Sequence, residues 1–505
     1  MVYIKLYRYF CGWTDALACP TATLLVNKSM ITKIEIDGFK TFRNFKLELA
    51  PFQVIVGLNG VGKSNLFDAL SLLSLLASDD LLTAFQKLRG AGEELFTVLP
   101  NGQSFSQMKF LVEIFVELQV KDVWGASATL KYTRMRYELQ LSRHADELGL
   151  ERFYVDNESL KSIPRSEDKW IKSYKLLSQS DRLPKLTGGR PSFISTEDNK
   201  VNLHQDGRAG GKRELAVAGK AERTILSSVT SVEFPHAFAA RKEMLDWRFL
   251  QLNPEALREP SSMLVEKSYL LADGSNLPAV LARMQAQDSF TLNDVSLDLA
   301  NLVPGILKIE IDNDQERRRY IIRAITQDNR SFSSRVLSDG TLRMLALATL
   351  RNDPENQGVL CFEEPENGVH PFRLKKLVEL LRGLASDFSD ATQIEEPLRQ
   401  LLINTHSPVL VSQLVNLDST SDDISYKIDV AKELLFAYTT TQLEPEISDQ
   451  RLRVTRMVPL KSSGQLVLRL DEEPEKSYIV AQVIEYLNSA DTGEARDNLQ
   501  KAITL

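Results

Sequence analysis

The sequence has little of what a disulfide framework, a zinc site or a membrane span would require. Its three cysteines, Cys11, Cys19 and Cys361, form no C-x-x-C pair and have no paired histidines nearby, so neither disulfides nor structural zinc are expected. No apolar run reaches the ~18 residues needed to cross a bilayer, and charged residues interrupt the stretch that a signal peptide would occupy. We therefore expect a cytoplasmic protein that does not enter a membrane.

A net positive charge and long sequence repeats are also absent from the sequence. The formal net charge is −7, which argues against a surface built entirely for nucleic acid but allows a local basic face. Neither sustained heptads nor repeats of 20 to 50 residues occur, so a long coiled coil and a solenoid are not expected. With 43% hydrophobic and 26% charged residues, the 505-residue chain has the composition of a soluble globular protein of about three domains.

What is present is a phosphate-loop motif. Residues 57–64 read GLNGVGKS, which fits the pattern G-x-x-x-x-G-K-S at every required position. The glycines let backbone N–H groups face a polyphosphate, Lys63 can reach the β- and γ-phosphates, and Ser64 offers a hydroxyl to Mg²⁺. The apolar run 52–56 predicts a buried strand before the loop, and apolar residues at helical spacing over 65–76 predict a helix after it. This context favours a nucleotide site over a glycine-rich surface turn.

Two later apolar strands, predicted over 359–362 and 401–404, each end in polar side chains. The first runs into FEEPENGVHP at 362–371 and the second into NTHSP at 404–408. Phosphoryl transfer to water needs bound Mg²⁺ and a group that orients the water, so we assign Glu363 to Mg²⁺ and Glu364 to the water. His406 falls at the same expected edge of the sheet and suits a sensor of the γ-phosphate.

A turn between these motifs, LSDGT at 337–341, precedes an apolar helix predicted over 342–350. Ser338 or Asp339 could simply cap this helix. Alternatively, the turn could be a second phosphate-binding helix start. The residues alone leave both interpretations open.

Taken in order, these four motifs resemble the ABC-type ATPase heads of the RecF, SMC and OLD group, and IEIDGFKTF at 34–42 is similar to that group's first strand and turn. The resemblance implies an α/β fold with a mixed sheet flanked by helices, an antiparallel β subdomain and an inserted loop-rich and helical subdomain, without a long coiled coil. It implies ATP and Mg²⁺ as cofactors. It also implies that hydrolysis requires a head-to-head dimer with two ATP molecules between the subunits.

The same resemblance assigns roles to individual residues. Glu364 is expected to be the catalytic base and His406 the switch residue, with Ser64 and Glu363 as Mg²⁺ ligands, although many ABC heads have Asp at the position of Glu363. The resemblance places the γ-phosphate of a second copy against Ser338, Asp339 and Gly340. Nucleotide contacts within the chain are expected from Gly57, Asn59, Gly60, Gly62, Lys63, Ser64, Asn65 and Lys40.

Domain boundaries are predicted from the order of the motifs. We expect an extension over 1–29 with Met30 as a candidate native start, an N-terminal ATPase lobe over 30–145, an inserted subdomain over 146–305, a C-terminal lobe over 306–415 and an α/β tail over 416–505. Within this scheme, 142–221 loses periodicity and gains Gly, Ser, Asp and Lys, which predicts loop-rich structure.

The sequence leaves the task driven by ATP open. Our leading interpretation is an ATP-gated switch on DNA that controls a separately encoded effector, such as a nuclease, in anti-phage defence, with DNA repair or recombination as an alternative. DNA contact would use clustered cations. Two groups are candidates: Arg208, Lys212, Arg213, Lys220 and Arg223, and Arg317, Arg318 and Arg319.

Two other functions are weighed against this interpretation. An OLD-like nuclease would need a clustered acidic metal site after His406, and the acidic runs at 422–423 and 471–473 do not have that pattern. The motor subunit of a membrane transporter is disfavoured by the first strand and by the large insertion.

Overall fold

The structure, a computed structural model, describes residues 29–90, 92–145, 149–184, 192–205, 212–264, 267–420, 428–444, 450–461 and 478–489. The predicted extension therefore lies outside the described residues except for Ser29. Arg208 and the acidic runs at 422–423 and 471–473 also lie outside them. No helix within these ranges has the length and apolar character needed to cross a membrane.

The strands of the described residues are β1 (Ser29–Asp37), β2 (Phe45–Glu48), β3 (Phe52–Val56), β4 (Gln107–Val116), β5 (Gln119–Lys121), β6 (Ser127–Thr129), β7 (Arg134–Ala145), β8 (Glu151–Ser162), β9 (Ser192–Glu197), β10 (Lys200–His204), β11 (Lys212–Val217), β12 (Arg248–Leu250), β13 (Ser261–Ser262), β14 (Ile306–Asp314), β15 (Arg319–Thr326), β16 (Ser331–Ser333), β17 (Gly358–Glu363), β18 (Arg399–Thr405), β19 (Leu434–Glu444), β20 (Gln450–Lys461) and β21 (Tyr478–Ile479).

The α-helices are α1 (Lys63–Leu76), α2 (Leu81–Gln86), α3 (Lys169–Ser173), α4 (Pro235–Leu245), α5 (Pro254–Arg258), α6 (Leu277–Gln287), α7 (Thr291–Leu302), α8 (Asp339–Asn352), α9 (Leu374–Arg382), α10 (Pro408–Thr420), α11 (Val430–Glu433) and α12 (Val480–Ser489). None of these exceeds 14 residues. In the described part of the chain, the expected absence of a long coiled coil therefore holds.

A mixed seven-stranded sheet carries the predicted motifs. Its strand order is β12-β17-β18-β3-β19-β20-β21. Neighbours from β12 through β19 are parallel, and β20 runs antiparallel to β19. Because β17, β18 and β3 are adjacent and parallel, the loops that follow them meet at one edge of the sheet, where ligands bind in open α/β folds.

The second large sheet is antiparallel and has eight strands in the order β11-β10-β9-β8-β7-β4-β1-β2. It confirms the expected antiparallel subdomain. Its outer strands β8 to β11 lie within 142–221, so the segment predicted to be loop-rich also contributes regular strands to this sheet. Consecutive buried residues in the short strands β9 and β10 hide the period-two pattern that identifies a strand.

Sheet membership also crosses three of the predicted domain boundaries. β8 and β12 belong to the predicted insertion, yet β8 pairs with β7 of the N-terminal lobe and β12 pairs with β17 of the C-terminal lobe. β19, from the predicted tail, pairs with β3 directly beside the phosphate loop. The ATPase sheet is therefore assembled from both ends of the described chain.

β3 lies between two hydrophobic cores. Phe52, Val54 and Val56 face the core formed with α8 and α9, whereas Ile55 faces the core formed with β1 and α1. The buried amide of Gln400 in β18 joins the two large sheets, because it accepts a hydrogen bond from the backbone N–H of Ile31 (2.8 Å) and donates one to its carbonyl (2.7 Å). Both faces of the phosphate-loop strand are thereby fixed.

Candidate functional site

The phosphate loop connects β3 to α1 and is packed beneath the C-terminal strands. A Cβ atom on Gly57 would lie 2.5 Å from the carbonyl oxygen of Ala437 in β19, and one on Gly62 would lie 2.2 Å from Thr455 Oγ1 in β20. Thr455 Oγ1 also donates a hydrogen bond to the carbonyl of Val61 (2.8 Å). The loop therefore has no room for side chains at these two glycines.

Thr41 also stabilises the phosphate loop, and its contacts with Thr455 are called the threonine brace below. Its carbonyl accepts a hydrogen bond from the backbone N–H of Thr455 (3.0 Å), and the two hydroxyl oxygens lie 2.7 Å apart. Asn65 Nδ2 donates to Thr41 Oγ1 (2.9 Å). In this structure the amide of Asn65, predicted to contact the nucleotide, stabilises the loop, while Asn59 and Gly60 are exposed at its tip.

Gly62→Ala should abolish ATP binding, whereas Gly60→Ala should weaken it less. Both glycines have positive φ, 97° and 78°, so each alanine meets a backbone cost of roughly 1–2 kcal/mol. Only at Gly62 would the new Cβ also clash with Thr455 and Thr41, since nothing lies within 4 Å at Gly60. Titration with a fluorescent ATP analogue compares the two variants. Equal affinities would contradict a requirement for the threonine brace.

Lys63 opens α1 and is almost fully buried. Its Nζ donates hydrogen bonds to the carbonyls of Gly57 (2.6 Å) and Leu58 (2.8 Å). Burial lowers the pKa of Lys63 to about 8, although the carboxylates of Glu364, Glu366 and Glu363 act in the opposite direction. The ammonium group is thus held inside the loop that phosphate groups would occupy.

Two further cations, Lys40 and Arg89, lie beside the first turn of α1. Lys40 Nζ contacts Asp68 Oδ2 (2.6 Å), and Asp68 lies one helical turn after Ser64. Arg89 Nη2 contacts the other oxygen of Asp68 (2.9 Å) and lies 3.9 Å from Glu363 Oε1. The sequence analysis missed Arg89, which follows α2 in a segment without a motif.

The two predicted Mg²⁺ ligands lie beside the same amide group. Asn404 Nδ2, at the end of β18, donates to Ser64 Oγ (3.3 Å) and to Glu363 Oε1 (3.4 Å). Asn404 Oδ1 is buried and has no hydrogen-bond partner among the described residues. A hydroxyl, a carboxylate and an amide oxygen are hard donors of the kind that Mg²⁺ prefers, and this ion keeps several waters, so the residues fit it.

Glu364 and His406, the two predicted catalytic residues, are in direct contact. His406 Nδ1 lies 2.7 Å from Glu364 Oε1, and Asn367 Nδ2 donates to Glu364 Oε2 (2.7 Å). Glu364 has φ 47°, a left-handed conformation that costs a non-glycine residue on the order of 1–3 kcal/mol and is concentrated at functional sites. Its backbone N–H donates to the carbonyl of Asn404 (3.0 Å), which fixes the strained turn.

The turn that starts α8 lies apart from the phosphate loop of its own chain. Ser338 caps the helix, since its Oγ accepts a hydrogen bond from the backbone N–H three residues later (3.3 Å). Asp339 forms an ion pair with Arg258, and a Cβ on Gly340 would lie 2.6 Å from the carbonyl oxygen of Gly368. No contact that the structure describes for Ser338, Asp339 or Gly340 reaches the phosphate loop.

The two candidate DNA-binding groups are associated with the ends of different strands. Arg317 and Arg319 flank the turn between β14 and β15, and both approach Asp314 (4.0 and 3.2 Å), which partly neutralises them. In the other group, Lys212 and Arg213 lie in β11, and Lys220 and Arg223 follow that strand.

Two domain families match the chain. Residues 30–89 match an AAA ATPase domain family. Residues 231–412 match an AAA domain family whose description names the AbiEii toxin and a type IV TA system. The first match contains the phosphate loop, and the second contains the start of α8, Glu363, Glu364 and His406. A comparison with curated proteins found no significant match.

Several solved structures are similar to the chain at low identity. An Smc head bound to the C-winged helix domain of ScpA is 13% identical, with 86% of this chain and 98% of that chain covered and a TM-score of 0.43. The SMC head domain from Thermotoga maritima is 12% identical over 86% and 99% of the chains (TM-score 0.34). An Smc head domain with a coiled coil and joint from Pyrococcus yayanosii is 12% identical over 92% and 100% (TM-score 0.40).

Proposed function

We propose that this chain, an ABC-type ATPase head of the RecF and SMC group, binds and hydrolyses ATP and uses that cycle to control a partner effector. One observation carries the proposal: Glu364 lies 2.7 Å from His406 and donates its backbone N–H to Asn404, whose side-chain amide donates to Ser64 Oγ and Glu363 Oε1. These side chains follow the ends of three adjacent parallel strands. This arrangement supports a water-activating pair that acts next to a phosphate-binding helix start.

Each residue has a distinct task in this scheme. Lys63 exchanges the loop carbonyls for phosphate oxygens, and the backbone N–H groups at the start of α1 surround the same anion. Ser64 and Glu363 would hold Mg²⁺, which neutralises phosphate charge when bound. Glu364 accepts a proton from the attacking water, and His406 fixes the orientation of the Glu364 carboxylate.

A second copy would complete the site. Ser338 and Asp339 are exposed at the N-terminus of the 14-residue helix α8, and the positive end of its dipole points outward. The described contacts of Ser338 and Asp339 do not reach the phosphate loop of the same chain. We therefore infer that the start of α8 binds the phosphate groups of a nucleotide held by another copy. Two ATP molecules would then lie between two heads.

The effector is the least defined part of the proposal. The family matched by 231–412 is described by a toxin and a TA system, which favours control of an effector in anti-phage defence over repair or recombination. DNA would act as a trigger through one of the two basic groups. Neither group has aromatic side chains interleaved for base stacking, so contact would be with the phosphate backbone.

Complementation between two inactive variants tests the shared site. Lys63→Ala removes the phosphate-binding cation of one copy, and Ser338→Arg blocks the α8 surface of the other. We expect purified full-length protein to release phosphate from Mg-ATP, each variant alone to be inactive, and an equimolar mixture to recover activity through the one intact composite site. An inactive wild-type protein would refute the ATPase. Active wild-type protein without recovery in the mixture would refute the shared site.

A further inference from the structure

Glu366 is a buried carboxylate that the hydrolysis scheme does not use. It lies in the turn after β17 and is only 8% exposed. Its Oε1 accepts a hydrogen bond from the hydroxyl of Thr405, whereas its Oε2 is buried and has no hydrogen-bond partner in the part of the chain that the structure describes. Burial raises the pKa of Glu366, and the Thr405 hydroxyl opposes this shift. Leaving a buried acceptor unsatisfied is costly, so packing alone does not account for Glu366.

Arg343 of α8 also has a buried polar atom without a described hydrogen-bond partner. Its Nε is buried and has no hydrogen-bond partner within the described ranges. Burial lowers the pKa of the Arg343 guanidinium, and the two carboxylates that act against this shift are Asp339 and Glu366. A Cβ on Gly368 would lie 3.9 Å from Arg343 Nε. Arg343 and Glu366 are thus neighbours of opposite charge, and each has an unsatisfied buried atom.

The helix start and the turn are in close backbone contact. A Cβ on Gly340 would lie 2.6 Å from the carbonyl oxygen of Gly368, so the first turn of α8 rests directly on this loop. Arg343 lies one helical turn after Asp339 and therefore on the same face of α8. A displacement of the exposed helix start would consequently move the guanidinium relative to Glu366.

On its other side, Glu366 reaches the catalytic pair through Thr405. The hydroxyl of Thr405 donates to Glu366 and accepts a hydrogen bond from the backbone N–H of Ser407 (3.0 Å). His406 lies between Thr405 and Ser407 in the sequence, and its side chain contacts Glu364 (2.7 Å). The position of the His406 backbone is therefore set from both sides by the hydroxyl that Glu366 holds.

We propose that Glu366 is a positioning residue that couples the start of α8 to the His406–Glu364 pair. The inference rests on the proposed function, because it requires the nucleotide of a second copy to pull on α8. Binding at Ser338 and Asp339 brings the Arg343 guanidinium onto the free oxygen of Glu366. The pair then stabilises the Glu366–Thr405 hydrogen bond that the single copy already has, so the His406–Glu364 contact is held more firmly in the assembled dimer. Hydrolysis is thereby slower in the single copy than in the dimer.

Two substitutions and their combination test this coupling. Glu366→Gln keeps the acceptor for Thr405 but removes the charge, and Arg343→Gln removes the opposite charge. We expect each to lower kcat roughly tenfold, within the usual range for coupling between sites, with a smaller change in the affinity for ATP. The double variant should be no slower than either single variant, because both remove the same interaction. Losses that multiply in the double variant would overturn the proposal.

Thr405 provides a second test that does not depend on the charged pair. Thr405→Ser keeps the hydroxyl and should retain wild-type kcat, whereas Thr405→Val has the shape of threonine without the hydrogen bond and should lose the same roughly tenfold in kcat. Equal kcat in these two variants would also overturn the proposal. Affinity for a fluorescent ATP analogue is measured in parallel, because Glu366 also acts electrostatically on Lys63.

Glu433→Gln is the matched control. Glu433 is likewise a buried glutamate with a buried arginine nearby, Arg382 (3.6 Å), but it precedes β19 at the opposite edge of the sheet. It should keep the wild-type kcat, and a loss as large as that of Glu366→Gln would show a general effect of removing buried charge. If wild-type protein hydrolyses ATP while the Glu366 and Arg343 variants match it, only the coupling is refuted. Inactive wild-type protein would refute the proposed function itself.

Discussion

Glu364→Gln should slow ATP hydrolysis by about 10²- to 10⁴-fold, the usual contribution of a general base, while ATP still binds. The amide cannot accept the proton of the attacking water. The phosphate-binding groups Lys63 and Ser64 are unchanged, because neither is hydrogen-bonded to Glu364 in the structure. Phosphate release under steady-state conditions and ATP binding by fluorescence titration separate the two effects.

The local structure can accept this amide. Glutamine retains an oxygen for the hydrogen bond from Asn367, and its NH₂ group can face His406 Nδ1 when that nitrogen is unprotonated. Because ATP stays bound, the variant should accumulate as an ATP-dependent dimer, which light scattering after size exclusion measures. Glu379→Gln, on the half-exposed face of α9, is the isosteric control and should turn over like the wild type. Wild-type turnover in Glu364→Gln would overturn its assignment as the base.

The elements nearest the site could be predicted from the sequence because their patterns are local. Four apolar or β-branched side chains within five residues predict β3 at 52–56, and the structure has the same bounds. The glycines and Lys63 form a continuous motif, and the carboxylates directly follow a buried strand. In each of these cases the signal lies within a few residues, and the parallel order of three strands brings the signals to one edge.

The residues that complete the site could not be predicted in this way. Thr455 braces a loop nearly 400 positions earlier in the chain, and Asn404 connects two motifs without belonging to either. Arg89 is a single cation after a short helix. An isolated threonine, amide or arginine has no periodicity, so its role follows only from tertiary contacts. Lys40, in contrast, is predicted from the sequence as a phosphate contact. In the structure its ammonium is paired with Asp68, so that contact stays a prediction.

The strands within 142–221 could not be predicted from the sequence for a different physical reason. Turn-forming residues separate strands of only five or six residues, and a strand that buries several successive side chains has no alternation to detect. Pairing with β8 stabilises these strands as part of a large sheet. Non-local pairing of this kind overrides the local propensity for loops.

Lys63→Ala should weaken ATP binding by roughly 10²-fold or more, because charge-assisted contacts to a desolvated partner are worth about 2–5 kcal/mol when one side is removed. No other described cation donates into the loop carbonyls of Gly57 and Leu58. Isothermal titration with ATP measures the loss. Lys87→Ala is the control, since Lys87 is an exposed lysine paired with Asp79 at the surface; unchanged affinity in Lys63→Ala would refute the role of Lys63.

The same lysine predicts how ATP affinity varies with pH. Burial lowers the pKa of Lys63 to about 8 before ATP binds. Phosphate oxygens favour the charged form of the lysine. Below that pH the ammonium is already charged and the affinity should stay constant. Above it a proton must be taken up on binding, so affinity should fall by up to about tenfold per pH unit. Lys63→Ala has no such proton to take up, and its weaker binding should remain flat between pH 7 and 9.5; a parallel decline in both proteins would place the titrating group elsewhere.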